Sequence, residues 1–152
     1  AAQIKGIQSQ NIACSIKHFA CNNKEVNRKN SDSRVSERAL REIYLKGFEI
    51  AIKESDPWTL MSAYNLINGI RASENHDLLT KILRDEWGYK GMVTSDWTND
   101  AKHVKEVKAG NDIKMPIGAP DELKSAIEDN TLSRAELEVC VKRILNMILK
   151  LD

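Results

Sequence analysis

The chain has 152 residues, 41% of them hydrophobic and 30% charged, with a formal net charge of +1, the profile of a single globular domain with its own core. Charges of both signs are mixed along the sequence, which leaves no basic stripe for nucleic acid, and no apolar run approaches the ~20 residues that cross a bilayer. No basic start followed by an apolar stretch and a small-residue cleavage site is present, and three unpaired-looking cysteines (Cys14, Cys21, Cys140) argue against a disulfide framework or zinc site and for a reducing, cytoplasmic compartment.

In chain order, residues 1–11 read as the tail of a helix and a loop, and residues 12–20 as a first strand ending near Lys17 and His18. Residues 21–34 are polar and aperiodic, a long loop of the kind that carries function. A helix is expected over 35–54, with Val35, Ala39, Leu40, Ile43, Tyr44, Phe48, Ala51 and Ile52 on helical spacing. Ser33 or Ser36 caps it and Asp56-Pro57 stops it. A strand over 59–65 and a turn at Asn68-Gly69 follow. The next helix, 76–87, has Leu78, Leu79, Ile82, Leu83 and Trp87 on one face, with Gly88 past its end.

A third strand covers 91–96. A helix over 99–109 has Val104 and Val107 inward and closes at Gly110, and a short fourth strand runs from Asp112 to Met115 before Pro116. Pro120 opens another helix, and Ser133-Arg134-Ala135-Glu136 is a capping box that starts the last one, with Leu137, Val141, Ile144, Leu145, Ile148 and Leu151 as its inward stripe. Strands alternating with helices predict an α/β fold with a parallel sheet. No Gly-x-Gly-x-x-Gly and no Walker sequence follows any strand, so the common nucleotide-binding classes are excluded, and His18, His76 and His103 have no metal-ligand spacing. No cofactor is expected.

The ends of the predicted strands carry Lys17 and His18, Tyr64 and Asn65, Asp96 and Trp97, and Asp112. Active sites of parallel α/β folds gather on that rim. A carboxylate beside an indole, surrounded by Lys, His, Arg and Tyr donors, suits a sugar: the hydroxyls take the polar groups and the ring face takes the aromatic. Such a carboxylate can attack an anomeric carbon and form a covalent glycosyl ester. Two other readings use the same residues. Asp96 could cap the next helix, and Lys17 could be a Schiff-base nucleophile activated by a hydrophobic pocket or a cationic neighbour.

Several stretches also resemble glycoside hydrolase family 3, in its β-glucosidase branch. They are Lys17-His18-Phe19, residues 35–45, Met61-Ser62-Ala63-Tyr64-Asn65, Asn68-Gly69, residues 79–88, Ser95-Asp96-Trp97, and Ala109-Gly110-Asn111-Asp112 leading to Met115-Pro116. Phe19 is followed by Ala20-Cys21-Asn22-Asn23 rather than the Pro-Gly-His-Gly of the hexosaminidase branch. The resemblance implies a single α/β domain over 1–152, built of four consecutive β/α units of a (β/α)8 TIM-type barrel plus a C-terminal helix. This would be a half-barrel, a part of the N-terminal catalytic domain.

By the same resemblance Asp96 matches the catalytic nucleophile of a retaining β-glycosidase, and Trp97 the aromatic beside the sugar. Lys17 and His18 match a pair that binds sugar hydroxyls, Arg28 an arginine near the same glycone, and Met61 and Tyr64 subsite-lining residues. The implied partner is a β-linked glucoside or related oligosaccharide. The family's first half-barrel and the following domain that supplies the general acid/base are not represented, and the stretch from Trp97 to Ala109 is short for the family. Glu25, Glu37 and Asp112 are ionisable but match no acid. A fragment inactive alone is therefore expected, either a homodimer completing a barrel or a piece of a longer chain. The alternatives are a non-catalytic sugar-binding or assembly module and, for the architecture, an open α/β sandwich.

Overall fold

The computed structural model describes residues 1–151. In chain order its first elements are α1 (Ala2–Gln8), β1 (Ser15–Phe19), β2 (Asp32–Ser33), α2 (Glu37–Ala39) and α3 (Lys46–Ser55). They are followed by β3 (Thr59–Ser62), β4 (Leu66–Ile67), β5 (Ile70–Arg71), a wide helix over Asp77–Glu86, and β6 (Met92–Ser95). The chain finishes with α4 (His103–Ala109), α5 (Pro120–Glu128) and α6 (Arg134–Leu151).

β3 is the central strand of a parallel sheet ordered β1-β3-β6. All four of its residues are buried, as expected for a parallel strand covered on both faces. Ser62 lies opposite both Phe19 and Ser95, so the three strands end at one edge. The peptide bonds Lys17–His18 and Phe19–Ala20 are cis, and β1 shifts register between Ile16 and Phe19. The expected fourth strand contracts to a single parallel bridge, Ile113 to Thr94. Beyond Ile113 the pairing groups go elsewhere: Met115 N–H donates to the Ser95 hydroxyl at 2.9 Å, and the Met115 carbonyl accepts from Thr98 N–H at 3.1 Å.

A second small sheet pairs β2 in parallel with β4, and β4 antiparallel with β5. Asn68 and Gly69 both have positive φ, 51° and 90°, the backbone of a two-residue hairpin turn. β2 lies within the stretch expected to be wholly loop; two residues are too short to show alternation.

The helix expected over 35–54 is interrupted. Ser36 caps it, its hydroxyl accepting from Ala39 N–H at 3.2 Å, but Leu40–Tyr44 form one wide turn in which Leu45 N–H reaches the Leu40 carbonyl at 2.9 Å. The extra residue in that turn rotates the apolar face. Ile43, expected inward, is exposed, and Leu45 is fully buried in its place. α3 stops at Asp56, which is left-handed (φ 43°), immediately before Pro57.

Leu78, Leu79, Ile82 and Leu83 of the wide helix are buried as expected, and Trp87 packs edge-on against Phe19. The next helix begins at His103 rather than near 99, because Asn99 is drawn into a buried side-chain network described below. Gly110 (φ 97°) ends it; a Cβ there would stand 2.9 Å from Thr80 Oγ1.

The capping box forms at the start of α6. Glu136 Oε2 accepts from Ser133 N–H at 2.8 Å, and the Ser133 hydroxyl accepts from Glu136 N–H at 3.2 Å. The stripe on α6 is not inward as expected. Cys140 is its only buried residue, Leu137 and Ile144 are half-buried, and Val141, Leu145, Ile148 and Leu151 are exposed. The main core lies between the sheet and the helices around Phe19, Leu45, Leu60, Leu79, Leu83 and Val93. A smaller one joins Val107, Ala126, Leu132 and Cys140.

Candidate active site

The parallel register brings the residues after β1, β3 and β6 to one edge. Asp96, immediately after β6, is only 8% exposed. Its Oδ1 accepts from Trp97 N–H at 2.7 Å, and its Oδ2 lies 3.4 Å from His18 Nε2. It caps no helix: α4 begins seven residues later, with Lys102 at its N-cap. One carboxylate oxygen is thus held by its own backbone and the other faces an imidazole.

Burial lowers the pKa of His18. The Lys17 and Arg28 charges push the same way, and Asp96 opposes them. A neutral imidazole that donates its Nε2–H to Asp96 fits this arrangement. Tyr64 is buried, and its hydroxyl donates to the Trp97 carbonyl. Its pKa is raised by burial first and then by the adjacent Asp96 carboxylate. The Arg28 guanidinium stacks 4.8 Å above the Tyr64 ring and pairs with Glu25 at 3.0 Å.

His18, Arg28, Tyr64 and Asp96 therefore converge, and Trp97, 46% exposed as a residue, joins them through its backbone. Lys17 is on the same strand end, exposed, with its charge felt by His18. That exposure removes the hydrophobic pocket that is one of the two ways to activate a Schiff-base lysine. Met61 is buried inside β3, opposite Thr94, one residue before the strand ends. Asn65 is fully buried, with its amide donating to the Ala20 and Leu66 carbonyls.

Asp112 does not belong to this rim. It stands at the start of the segment that was expected to be a strand. Its Oδ2 accepts from Val93 N–H at 2.8 Å and from Arg84 at 2.9 Å, and its Oδ1 accepts from Arg143 at 3.0 Å. Glu37 is paired with Arg41 on the surface.

Two sets of residues around the site have no sequence signature. Lys29 donates to Thr98 in the turn after Asp96. Beneath that turn, fully buried Glu106 accepts from Asn99 at 2.7 Å and Lys114 at 3.1 Å, and Lys114 also donates to Asn99 Oδ1 and the Ala101 carbonyl. Lys29 is 69 residues from Thr98, and Asn99 and Lys114 lie outside the helix that carries Glu106, so no periodicity within one element would have marked them. Among the described residues, no group of three or more His, Cys, Asp or Glu side chains is placed to hold a metal ion.

A carboxylate at the carboxyl edge of a parallel sheet, faced by a histidine and a tyrosine and flanked by an exposed tryptophan, stands where α/β folds gather their functional groups. The residue pattern of the glycosyl hydrolase family 3 N terminal domain matches residues 1–147, and the chain belongs to that family. Over 138 residues it is 59% identical to β-glucosidase A of Butyrivibrio fibrisolvens, covering 91% of this chain and 17% of that one. It is 41% identical to an exo-α-(1→6)-L-arabinopyranosidase of Bifidobacterium longum, covering 97% of this chain and 20% of the relative. The structure of β-glucosidase 3B from Thermotoga neapolitana in complex with glucose superposes with a TM-score of 0.94 at 47% identity, covering 97% of this chain and 22% of that chain. The chain therefore spans about a fifth of the length of these relatives.

Proposed function

We propose that this chain is the nucleophile-bearing part of a retaining β-glycosidase that acts on β-glucosides. The observation that carries this reading is Asp96: a nearly buried carboxylate at the sheet edge, 3.4 Å from His18 and beside Tyr64. In the proposed first step, an Asp96 oxygen bonds the anomeric carbon as the bond from that carbon to the leaving oxygen breaks. The leaving oxygen takes a proton from a general acid, and water then hydrolyses the ester with retention. His18, Lys17 and Arg28 bind sugar hydroxyls, the Trp97 indole covers the apolar ring face, and Met61 and Tyr64 line the subsite.

Retaining hydrolysis needs a second carboxyl group about 5–5.5 Å from the first. Glu25, Glu37 and Asp112 are all committed to arginines, so this reading assigns the acid to residues outside the chain. By the same reading the four β/α units are half of an eight-stranded barrel, completed by further parts of a longer chain or, in isolation, by a second copy. Four tilted strands alone do not close a filled barrel.

The test uses the 152-residue chain. A 2-deoxy-2-fluoro-β-glucosyl fluoride, whose activated leaving group needs little acid assistance, is expected to esterify Asp96, detected as a mass increase on its peptide. Asp96→Asn is expected to abolish the adduct, and aryl β-glucosides to turn over slowly or not at all. An aryl α-L-arabinopyranoside belongs in the same panel. Labelling at another residue, or none with saturating reagent, favours the non-catalytic sugar-binding module instead.

A further inference from the structure

The two residues after the nucleophile form a turn whose backbone groups are all engaged. Trp97 N–H goes to Asp96 Oδ1, the Trp97 carbonyl accepts from the Tyr64 hydroxyl, and Thr98 N–H goes to the Met115 carbonyl. The remaining group, the Thr98 carbonyl, accepts from Lys29 Nζ at 3.0 Å, and the same ammonium reaches Thr98 Oγ1 at 3.1 Å. Of these four bonds, this is the one made by a cation and the one that comes from the polar loop between β1 and β2.

Thr98 has a φ of +54°, a left-handed conformation that a β-branched residue adopts only when its surroundings hold it there. Lys29 is itself braced. Its carbonyl accepts from Arg71 Nη1 at 2.8 Å, and the same nitrogen donates to the Tyr64 carbonyl at 3.0 Å. Its ammonium lies 5.4 Å from the centroid of the Tyr64 ring. A chain of contacts thus runs from Tyr64 through Arg71 and Lys29 to Thr98 and back through Trp97 to Tyr64.

We infer that Lys29 is a positioning residue. It latches the polar loop onto the Trp97–Thr98 turn and so sets where the Trp97 indole stands relative to Asp96. It makes no contact with Asp96 and acts through Thr98. The inference deepens the glycosidase reading and rests on it for the identity of the ligand, but the latch itself is measurable without any ligand. Replacing the ammonium by an apolar chain of similar length leaves the Thr98 carbonyl and hydroxyl to water and frees the turn. Arginine, which is also a long cation, restores the charge-assisted bond.

The experiment compares the wild-type chain with Lys29→Met and Lys29→Arg, each also in a Trp97→Phe background, by acrylamide quenching of tryptophan fluorescence. Losing a solvent-exposed charge-assisted hydrogen bond shifts the held-to-free ratio of the turn about two- to fivefold, so Lys29→Met is expected to raise quenching measurably and Lys29→Arg to return it toward wild type. In the Trp97→Phe background the difference is expected to vanish, since Trp58 and Trp87 lie elsewhere. Quenching unchanged in Lys29→Met overturns the latch. So does an increase that persists without Trp97, because that is general loosening.

If Lys29→Met loses the wild-type far-UV circular dichroism, Thr98→Ala decides. Removing one of the two acceptors is expected to give a smaller increase of the same kind, and no increase overturns the inference. A second arm follows Asp96 labelling by the 2-deoxy-2-fluoro reagent. The half-saturating concentration is expected to rise in Lys29→Met by a larger factor than the maximal rate falls, because the sugar platform is displaced and the carboxylate is not. Equal effects on both overturn the assignment of the latch to Trp97. Absence of labelling in the wild type sinks the glycosidase reading, and the quenching result still decides Lys29.

Discussion

His18 and Asp96 face each other at 3.4 Å, and the protonation state of the histidine decides what that contact is. Burial takes its pKa below the ordinary 6.5, with Lys17 and Arg28 reinforcing the shift against Asp96. His103 moves the same way: burial lowers it, and its Nδ1 accepts from Ala119 N–H at 2.9 Å, a bond that needs the unprotonated nitrogen. Below pH 6.5 the unfolded chain takes up these protons before the folded one, so the two residues contribute stability that is full above that pH and lost as the pH falls. Thermal unfolding is therefore expected to shift to lower temperature between pH 7.5 and pH 5, and His18→Gln and His103→Gln are each expected to flatten the slope. An unchanged slope in both variants would remove these residues as its cause. The position of Asp96 at the end of a strand was legible because Met92 and Val93 before it and Ser95 and Trp97 beside it form a compact run. Lys29 and Glu106 were not, since what each does depends on partners 69 and 7 residues away.

At the scale of elements, the buried charge cluster around Asp112 serves stability and not the site. Asp112 has no exposed side-chain surface. It holds Arg84 from the wide helix, Arg143 from α6 and the backbone of β6 together at the end of the sheet remote from Asp96. Removing the carboxylate leaves two guanidinium groups facing each other, one of them nearly buried. Asp112→Ala is expected to cost about 3–5 kcal/mol in urea unfolding. Glu37→Ala, at an exposed pair with Arg41, is expected to stay within about 1 kcal/mol. Similar losses in the two variants would contradict the assignment. Element ends were readable where one residue type dictates backbone geometry or supplies a cap: Asp56-Pro57, Gly88, Gly110, Pro120 and the Ser133–Glu136 box all stand where expected. The wide turn at Leu40–Tyr44 was not readable, because an added residue in a helix leaves the local composition unchanged and shows only in which side chains end up inside.

At the scale of the molecule, α6 stands out. It packs on α4 through Cys140, and its Arg143 pairs with Asp112, which in turn holds Val93 of β6. Beyond that, Leu145 and Ile148 are each 52% exposed, and Val141, Leu149 and Leu151 lie open alongside. A continuous apolar face of this kind marks a contact surface, and the outer members of the parallel sheet, β1 and the segment around Ile113, add unpaired edge. The isolated chain is expected to self-associate in sedimentation velocity as its concentration rises, and Leu145→Glu with Ile148→Glu to shift it toward monomer. A monomer at all concentrations would reject this.

The sequence by itself determined the alternation of strands and helices, the caps and stops, and the motif around Asp96, because each is written in residues adjacent along the chain and follows from local backbone and burial preferences. The tertiary structure decided the rest: that Asp112 braces the far end of the sheet, that Lys29 reaches over the turn after Asp96, and that the apolar stripe of α6 faces outward. Each of these depends on which distant segments come to lie side by side, and periodicity shows that a face is apolar without showing what covers it.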